Sequence, residues 1–167
     1  MRHFLLLGAT VLLTACQDQK IAFVDYSEVM NQYEAKKELE GQFQQRAQRF
    51  ARKRDSISQV FQYEAQQFQQ RAQRMSETSA QEEYNDLQSR GSAIGQQLQI
   101  EEQGIQEQGQ NKMDSLIKHV RTRIAAYGEQ MGYTYVLAGG EGGTVLYGKT
   151  SEDITTQVIT FLNEEIK

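Results

Sequence analysis

The octapeptide Gly143–Thr150 (GTVLYGKT) satisfies the spacing G-x-x-x-x-G-K-T, which in a nucleotide-binding protein wraps backbone N–H groups around phosphate. The residues between its glycines argue against that chemistry. Thr144, Val145, Leu146 and Tyr147 are β-branched or bulky, whereas a phosphate nest needs residues that tolerate unusual φ angles. No apolar strand ending in an acidic residue follows to hold magnesium. His119 lies between Lys118 and Arg121 in a helical stretch, and no spacing assembles it into a metal cluster or a Ser/His/Asp set. The pairs Glu82–Glu83 and Glu101–Glu102 read as the solvated face of an acidic helix. The sequence therefore predicts no enzyme, no bound nucleotide and no cofactor.

Chemistry of another kind attaches to Cys16, the one cysteine in the chain. It follows Arg2, an apolar run from Phe4 to Leu13, and the small residues Thr14 and Ala15, the three regions of a secretory signal. The run is too short for a permanent bilayer span. Leu13–Cys16 resembles the lipobox of bacterial lipoproteins, which implies cleavage of residues 1–15 and acylation of Cys16. A lone cysteine in an exported chain calls for a use other than a disulfide, and acylation supplies one. Residues 16–20 are then a lipidated tether to a membrane of the bacterial envelope, facing the periplasm.

The elements behind these residues are dominated by one long segment. Phe43–Phe50 (FQQRAQRF) returns as Phe68–Met75 (FQQRAQRM), 25 residues later, or about seven helical turns, so both copies present the same helix face. Apolar and small side chains at Leu39, Phe43, Ala47, Phe50, Ile57, Phe61, Ala65, Phe68, Ala72 and Met75 step by three, four or seven, a coiled-coil seam with a stutter. From Lys36 to Arg74 there are nine basic side chains against four acidic; from Met75 to Asn111 there is Arg90 alone against seven acidic. Arms of opposite sign favour antiparallel association, and this pairing, together with an exported location, excludes nucleic acid as the partner of the basic arm. The return arm carries Tyr84, Leu87, Ile94, Leu98 and Ile105 at helical spacing, with Gly91 and Gly109 on the seam, where either close approach or bending is expected. With 38% hydrophobic residues and no proline, the chain suits long solvated helices. The predicted hairpin spans residues 35–131, with its tip at Ser76–Ala80.

Shorter segments flank it. Ile21–Asp25 and Tyr133–Leu137 read as strands, Gly139–Gly143 as a glycine turn, and Thr144–Tyr147 as a third strand. Ser27 is expected to cap a short helix, turning Val29, Met30 and Tyr33 inward, and Ser151 or Asp153 to cap a last helix with Ile154, Val158, Phe161 and Leu162 on one face. The fold class predicted is α+β: a small β-rich oligomerisation body (residues 21–34 and 132–167) carrying a long antiparallel helical hairpin, all within a single domain over 21–167. The body residues expected to serve association are Ile21, Phe23, Val24, Tyr135, Val136, Leu137, Val145 and Leu146, since one copy buries little by itself.

The order strand, hairpin, strand, glycine turn, strand, helix resembles the Skp/OmpH family of periplasmic chaperones. The resemblance is carried by Ile21–Tyr33 (IAFVDYSEVMNQY), Gly132–Gly140 (GYTYVLAGG), Val145–Gly148 (VLYG) and Asp153–Asn163 (DITTQVITFLN). It implies a homotrimer joined through its bodies, with three hairpins enclosing a cavity that holds unfolded outer-membrane proteins without ATP. The net charge of −4 and the lipobox depart from the basic, soluble pattern of that family.

Two functions are compatible with this pattern. The first is a membrane-tethered, ATP-independent holdase for unfolded envelope or outer-membrane proteins. Phe43, Phe50, Phe61, Tyr63, Phe68 and Met75 then act as seam and candidate client contacts, because apolar surface left over by the seam suits non-native chains. The second is a scaffolding coiled-coil lipoprotein with one defined folded partner.

Overall fold

The structure is a computed structural model that describes residues 19–165. Cys16 and the signal segment 1–15 lie outside the described residues. The order is β1 (Ile21–Asp25), α1 (Tyr26–Gln32), α2 (Glu34–Ala72), α3 (Glu77–Gln130), β2 (Tyr135–Gly139), a 3-10 turn at Thr150–Glu152 and α4 (Thr155–Glu164). β1 and β2 pair in parallel, with Ile21 opposite Tyr135 and Asp25 opposite Gly139. Parallel strands need a long crossover, and here the entire hairpin of α2 and α3 is that crossover.

Alternation along the strands divides the body into two faces. Ala22 and Val24 point inward and are buried, and Val136 follows them against Gly128 of α3, where a Cβ would come 2.9 Å from its Cγ2. They join Val29, Met30 and Tyr33 of the α1 region, Val120 and Ile124 of α3, and Ile154, Val158 and Leu162 of α4. This core clamps both ends of the hairpin. Val24 is thus part of the chain's own core, while Val136 is half-buried at the edge of that core.

Polar bonds fix where the elements begin. Asp25, not Ser27, caps α1, its Oδ1 accepting from the Glu28 N–H at 2.9 Å. The Asp25 N–H donates to Thr155 Oγ1 at 2.8 Å, and the Asp153 carboxylate accepts from the Thr155 N–H at 2.9 Å, so the start of α4 is tied to the end of β1. Tyr33, in extended conformation, breaks α1 from α2. Asn163 of α4 repairs the break by accepting from the Glu34 N–H at 3.0 Å and donating to the Gln32 carbonyl at 3.2 Å.

Two expected elements differ. Thr144–Tyr147 is irregular, not a third strand. The Thr144 and Val145 N–H groups both donate to the Ala138 carbonyl, and the chain then crosses over the sheet, with Gly148 against the Phe23 ring, to reach the bridge between Phe23 and Asp153 on the far edge of β1. A segment running across the sheet has no strand beside it among the described residues. The tip also moves: α2 ends at Ala72, and the turn occupies residues 73–76. Ser76 Oγ accepts from the Ser79 N–H at 3.2 Å, which makes Ser76 the cap of α3 and draws residues 77–80 into that helix.

Leu162 is 1% exposed, and truncating it leaves a cavity between α4, α1 and α3. Leu162→Ala is expected to lower stability by about 2–5 kcal/mol in chemical denaturation. Burial raises the Tyr33 hydroxyl above its ordinary pKa, with the nearby Arg123 charge opposing the rise. A raised folded-state pKa gives stability that is complete below the unfolded value and is lost as pH climbs through the folded value. Thermal stability should therefore fall above about pH 10, and Tyr33→Phe should flatten part of that alkaline loss.

Candidate functional site

The hairpin is the surface that the chain devotes most residues to. At 1.5 Å per residue, the 39 residues of α2 extend about 58 Å and the 54 of α3 about 81 Å. Its seam is built from Phe43, Phe50, Phe61 and Phe68, which step by 7, 11 and 7 residues, whole numbers of turns within a fraction of a residue. Phe50 is 8% exposed. Phe61 fits against Gly91, where a Cβ would come 2.7 Å from the ring; Phe43 lies over Gly109 in ordinary contact; Phe68 meets Tyr84 at 6.4 Å between ring centroids. Close approach is thus the role of Gly91, whereas a Cβ at Gly109 would fit against Phe43. Gly95 and Gly104 have nothing within reach of a Cβ.

One flank of the seam carries every polar pair that crosses between the arms among the described residues. Arg46, Lys53, Glu64 and Arg71 each sit three residues beyond a seam phenylalanine. Their partners are Gln108 (2.6 Å), Glu101 (2.5 Å), Arg90 (2.9 Å) and Glu83. The hydrogen bond from Glu64, with its charge, raises the Arg90 pKa above the ordinary arginine value. Exposed pairs of this kind add about 0.2–1 kcal/mol each, so their main effect is to set register.

Apolar side chains remain in water despite this seam. Tyr63 is 63% exposed, Val60 57%, Ile100 70% and Tyr84 51%. Tyr63 was expected there; Met75 is half-buried near the tip. Val60 and Ile100 were missed, although their phase marks them: Val60 precedes a seam residue by one position and Ile100 follows Leu98 by two, placing both off the buried stripe.

The body offers a second apolar surface on the sheet's outer face. Ile21, Tyr135 and Leu137 are about half exposed, Phe23 is half-buried between Gly139 and Gly148, and Val145 is half-buried. Leu146 and Tyr147 are 99% and 86% exposed. Among the described residues the other edge of β2 pairs with no strand, and it borders a groove of about 820 Å³ against α3, lined in part by Tyr26, Arg121, Ile124 and Gly128. Gly143–Thr150, the stretch with nucleotide-loop spacing, crosses the outer face and enters a three-residue 3-10 turn rather than a helix N-terminus. His119 is exposed on α3. Among the described residues no three His, Cys, Asp or Glu side chains gather as metal ligands, and no helix is long and apolar enough to cross a membrane.

The sequence matches the family model for outer membrane protein (OmpH-like) over residues 20–162. The chain belongs to the OmpH-like family. Its fold agrees with a crystal structure from Caulobacter crescentus of a proposed outer membrane chaperone (OmpH-like), with a TM-score of 0.77 and 13% identity over 89% of this chain and 86% of that one. Comparison with curated protein sequences finds no match. At 13% identity, what this OmpH-like chain shares with that structure is the architecture of body and hairpin.

Phe61→Ala combined with Phe68→Ala removes two half-buried rings from the outer seam, about 2 kcal/mol each at half the full-burial effect. Amide exchange should accelerate in residues 57–95 while the amides of β1, β2 and α4 keep their protection; equal acceleration in the body would contradict the clamp at the base.

Proposed function

We propose that this OmpH-like chain is an ATP-independent holdase of the bacterial envelope. It binds unfolded outer-membrane or other envelope proteins within a cavity formed by the hairpins of a homotrimer, and acylation of Cys16 tethers it to a membrane on the periplasmic side. The observation that carries the reading is a family match over nearly the whole described chain, on a hairpin that leaves Tyr63, Val60, Tyr84 and Ile100 in water. Dispersed apolar side chains on a projecting arm suit many weak contacts with a non-native chain. The Caulobacter protein of the same architecture is itself a proposed outer membrane chaperone. Association through the bodies is supported by the exposed Leu146 and Tyr147 and by the unpaired edge of β2, a template for a strand from another copy. Release follows from the client's own folding, which withdraws the apolar surface the arms hold.

Dilution of a urea-denatured outer-membrane barrel protein into stoichiometric full-length chain, without nucleotide, should suppress its light scattering. Unchanged scattering sinks the holdase reading. Mass measurement of the same sample should give three copies of the chain. Leu146→Asp with Tyr147→Asp should reduce it to one, and recovery of a single folded partner from envelope extract in place of many barrel proteins would favour a scaffold.

A further inference from the structure

The two flanks of the hairpin seam differ in kind. The flank described above is zipped by charged side chains. On the opposite side, the α3 positions 85, 88, 92, 96, 99, 103, 106 and 110, which step by three and four, are all Gln, Asn or Ser and all exposed, with Glu102 the one charged side chain between this stripe and the seam. The facing positions of α2, one and five residues after each seam phenylalanine, include Gln44, Gln62 and Gln69 and are uncharged except for Asp55. Asp55 is neutralised by its neighbour Arg54 at 3.2 Å. No hydrogen bond joins the arms across this flank among the described residues. Part of it forms a shallow groove of about 500 Å³ lined by Asn85, Gln88, Ser92 and Gln96.

We propose that this amide flank is the face that captures the client, by hydrogen bonding to the backbone of an extended, unfolded polypeptide. The inference rests on the holdase reading. A side-chain amide offers two N–H donors and a carbonyl acceptor, the same groups as a peptide unit. An unfolded chain can exchange the water on its backbone donors and acceptors for these amides, whereas a folded protein has already paired most of its own. A face whose charge is limited to Glu102 and the Arg54–Asp55 pair repels clients of either sign only weakly. The stripe from Asn85 to Gln110 runs about 38 Å along the helix, the length of about 11 residues of extended chain. The tyrosines and aliphatic side chains nearby then add apolar contact, but the amides set the binding mode, which is indifferent to client sequence and weakly dependent on salt.

The test uses the full-length chain and a fluorescently labelled, urea-denatured barrel protein, with affinity read at low salt and at about 0.5 M NaCl, where charges are screened beyond about 4 Å. Wild type should bind with less than about threefold change between the two, since amide bonds are not screened. Gln62→Glu, Gln69→Glu, Gln88→Glu and Gln96→Glu combined remove the donors at constant size and should weaken binding by about tenfold, the effect expected from losing a few hydrogen bonds. Arg71→Gln with Glu83→Gln, on the charged flank, should leave affinity within about twofold. Circular dichroism and solution mass, unchanged in every variant, show that fold and assembly persist. Steep loss of wild-type binding at high salt, or full binding by the quadruple variant, overturns the amide-flank inference while leaving the holdase reading intact. A drop in mass for the quadruple variant assigns the flank to contact between copies and overturns the inference as well. Absence of client binding by wild type at both salts overturns the holdase reading, and this inference with it.

Discussion

Two helices of 39 and 54 residues, thinly supplied with apolar side chains, depend on having both ends held in one small core. Val29 and Tyr33 at the start of the outgoing arm, Val120 and Ile124 near the end of the return arm, and Val158 and Leu162 of α4 bury one another, and the parallel pairing of β1 with β2 locks the entry and exit of the crossover side by side. An isolated hairpin of this length would have only its phenylalanine seam and a few exposed ion pairs. With the base fixed, the two arms face each other at high effective concentration, and modest contacts suffice along the rest of their length.

The seam follows from that constraint. Clamped arms can approach closely where one of them has no side chain, so Phe61 beds against Gly91, and Phe43 packs over Gly109 in ordinary contact. Each glycine gives up about 1 kcal/mol of helix propensity, and packing of a ring against the opposite backbone offsets it. A single seam narrow enough for these contacts leaves the outer surface of both arms solvated, and Val60, Tyr63 and Ile100 fall there. The exposure of these apolar groups is thus a consequence of thin packing in the arm, which a broader core would remove.

The body obeys the opposite logic. Its inner face packs into a core, while its outer face leaves Ile21, Tyr135 and Leu137 about half exposed, and the other edge of β2 pairs with no strand among the described residues. Leu146 and Tyr147 stand almost wholly in water on a segment whose composition is that of a strand.

Much of this was legible beforehand because helical periodicity is a local property. The seven- and eleven-residue spacing of the phenylalanines, the opposite charge of the arms and the apolar face of α4 all depend on residues within a few turns of each other, and they placed the hairpin, its seam and the last helix. What only the tertiary structure decided were relations between distant segments: the parallel register of β1 with β2, the inward turn of Val24 and Val136, the glycines opposite Phe61 and Phe43, and the restriction of cross-arm ion pairs to one flank. Helix caps fell between these cases, since Asp25 and Ser76 are both sound capping residues yet compete with Ser27 and the following serines until packing fixes where each helix begins. Strand character at Thr144–Tyr147 was lost for the same reason. A strand exists only beside another strand, and the path required to reach Asp153 carries this one away from any partner in its own chain.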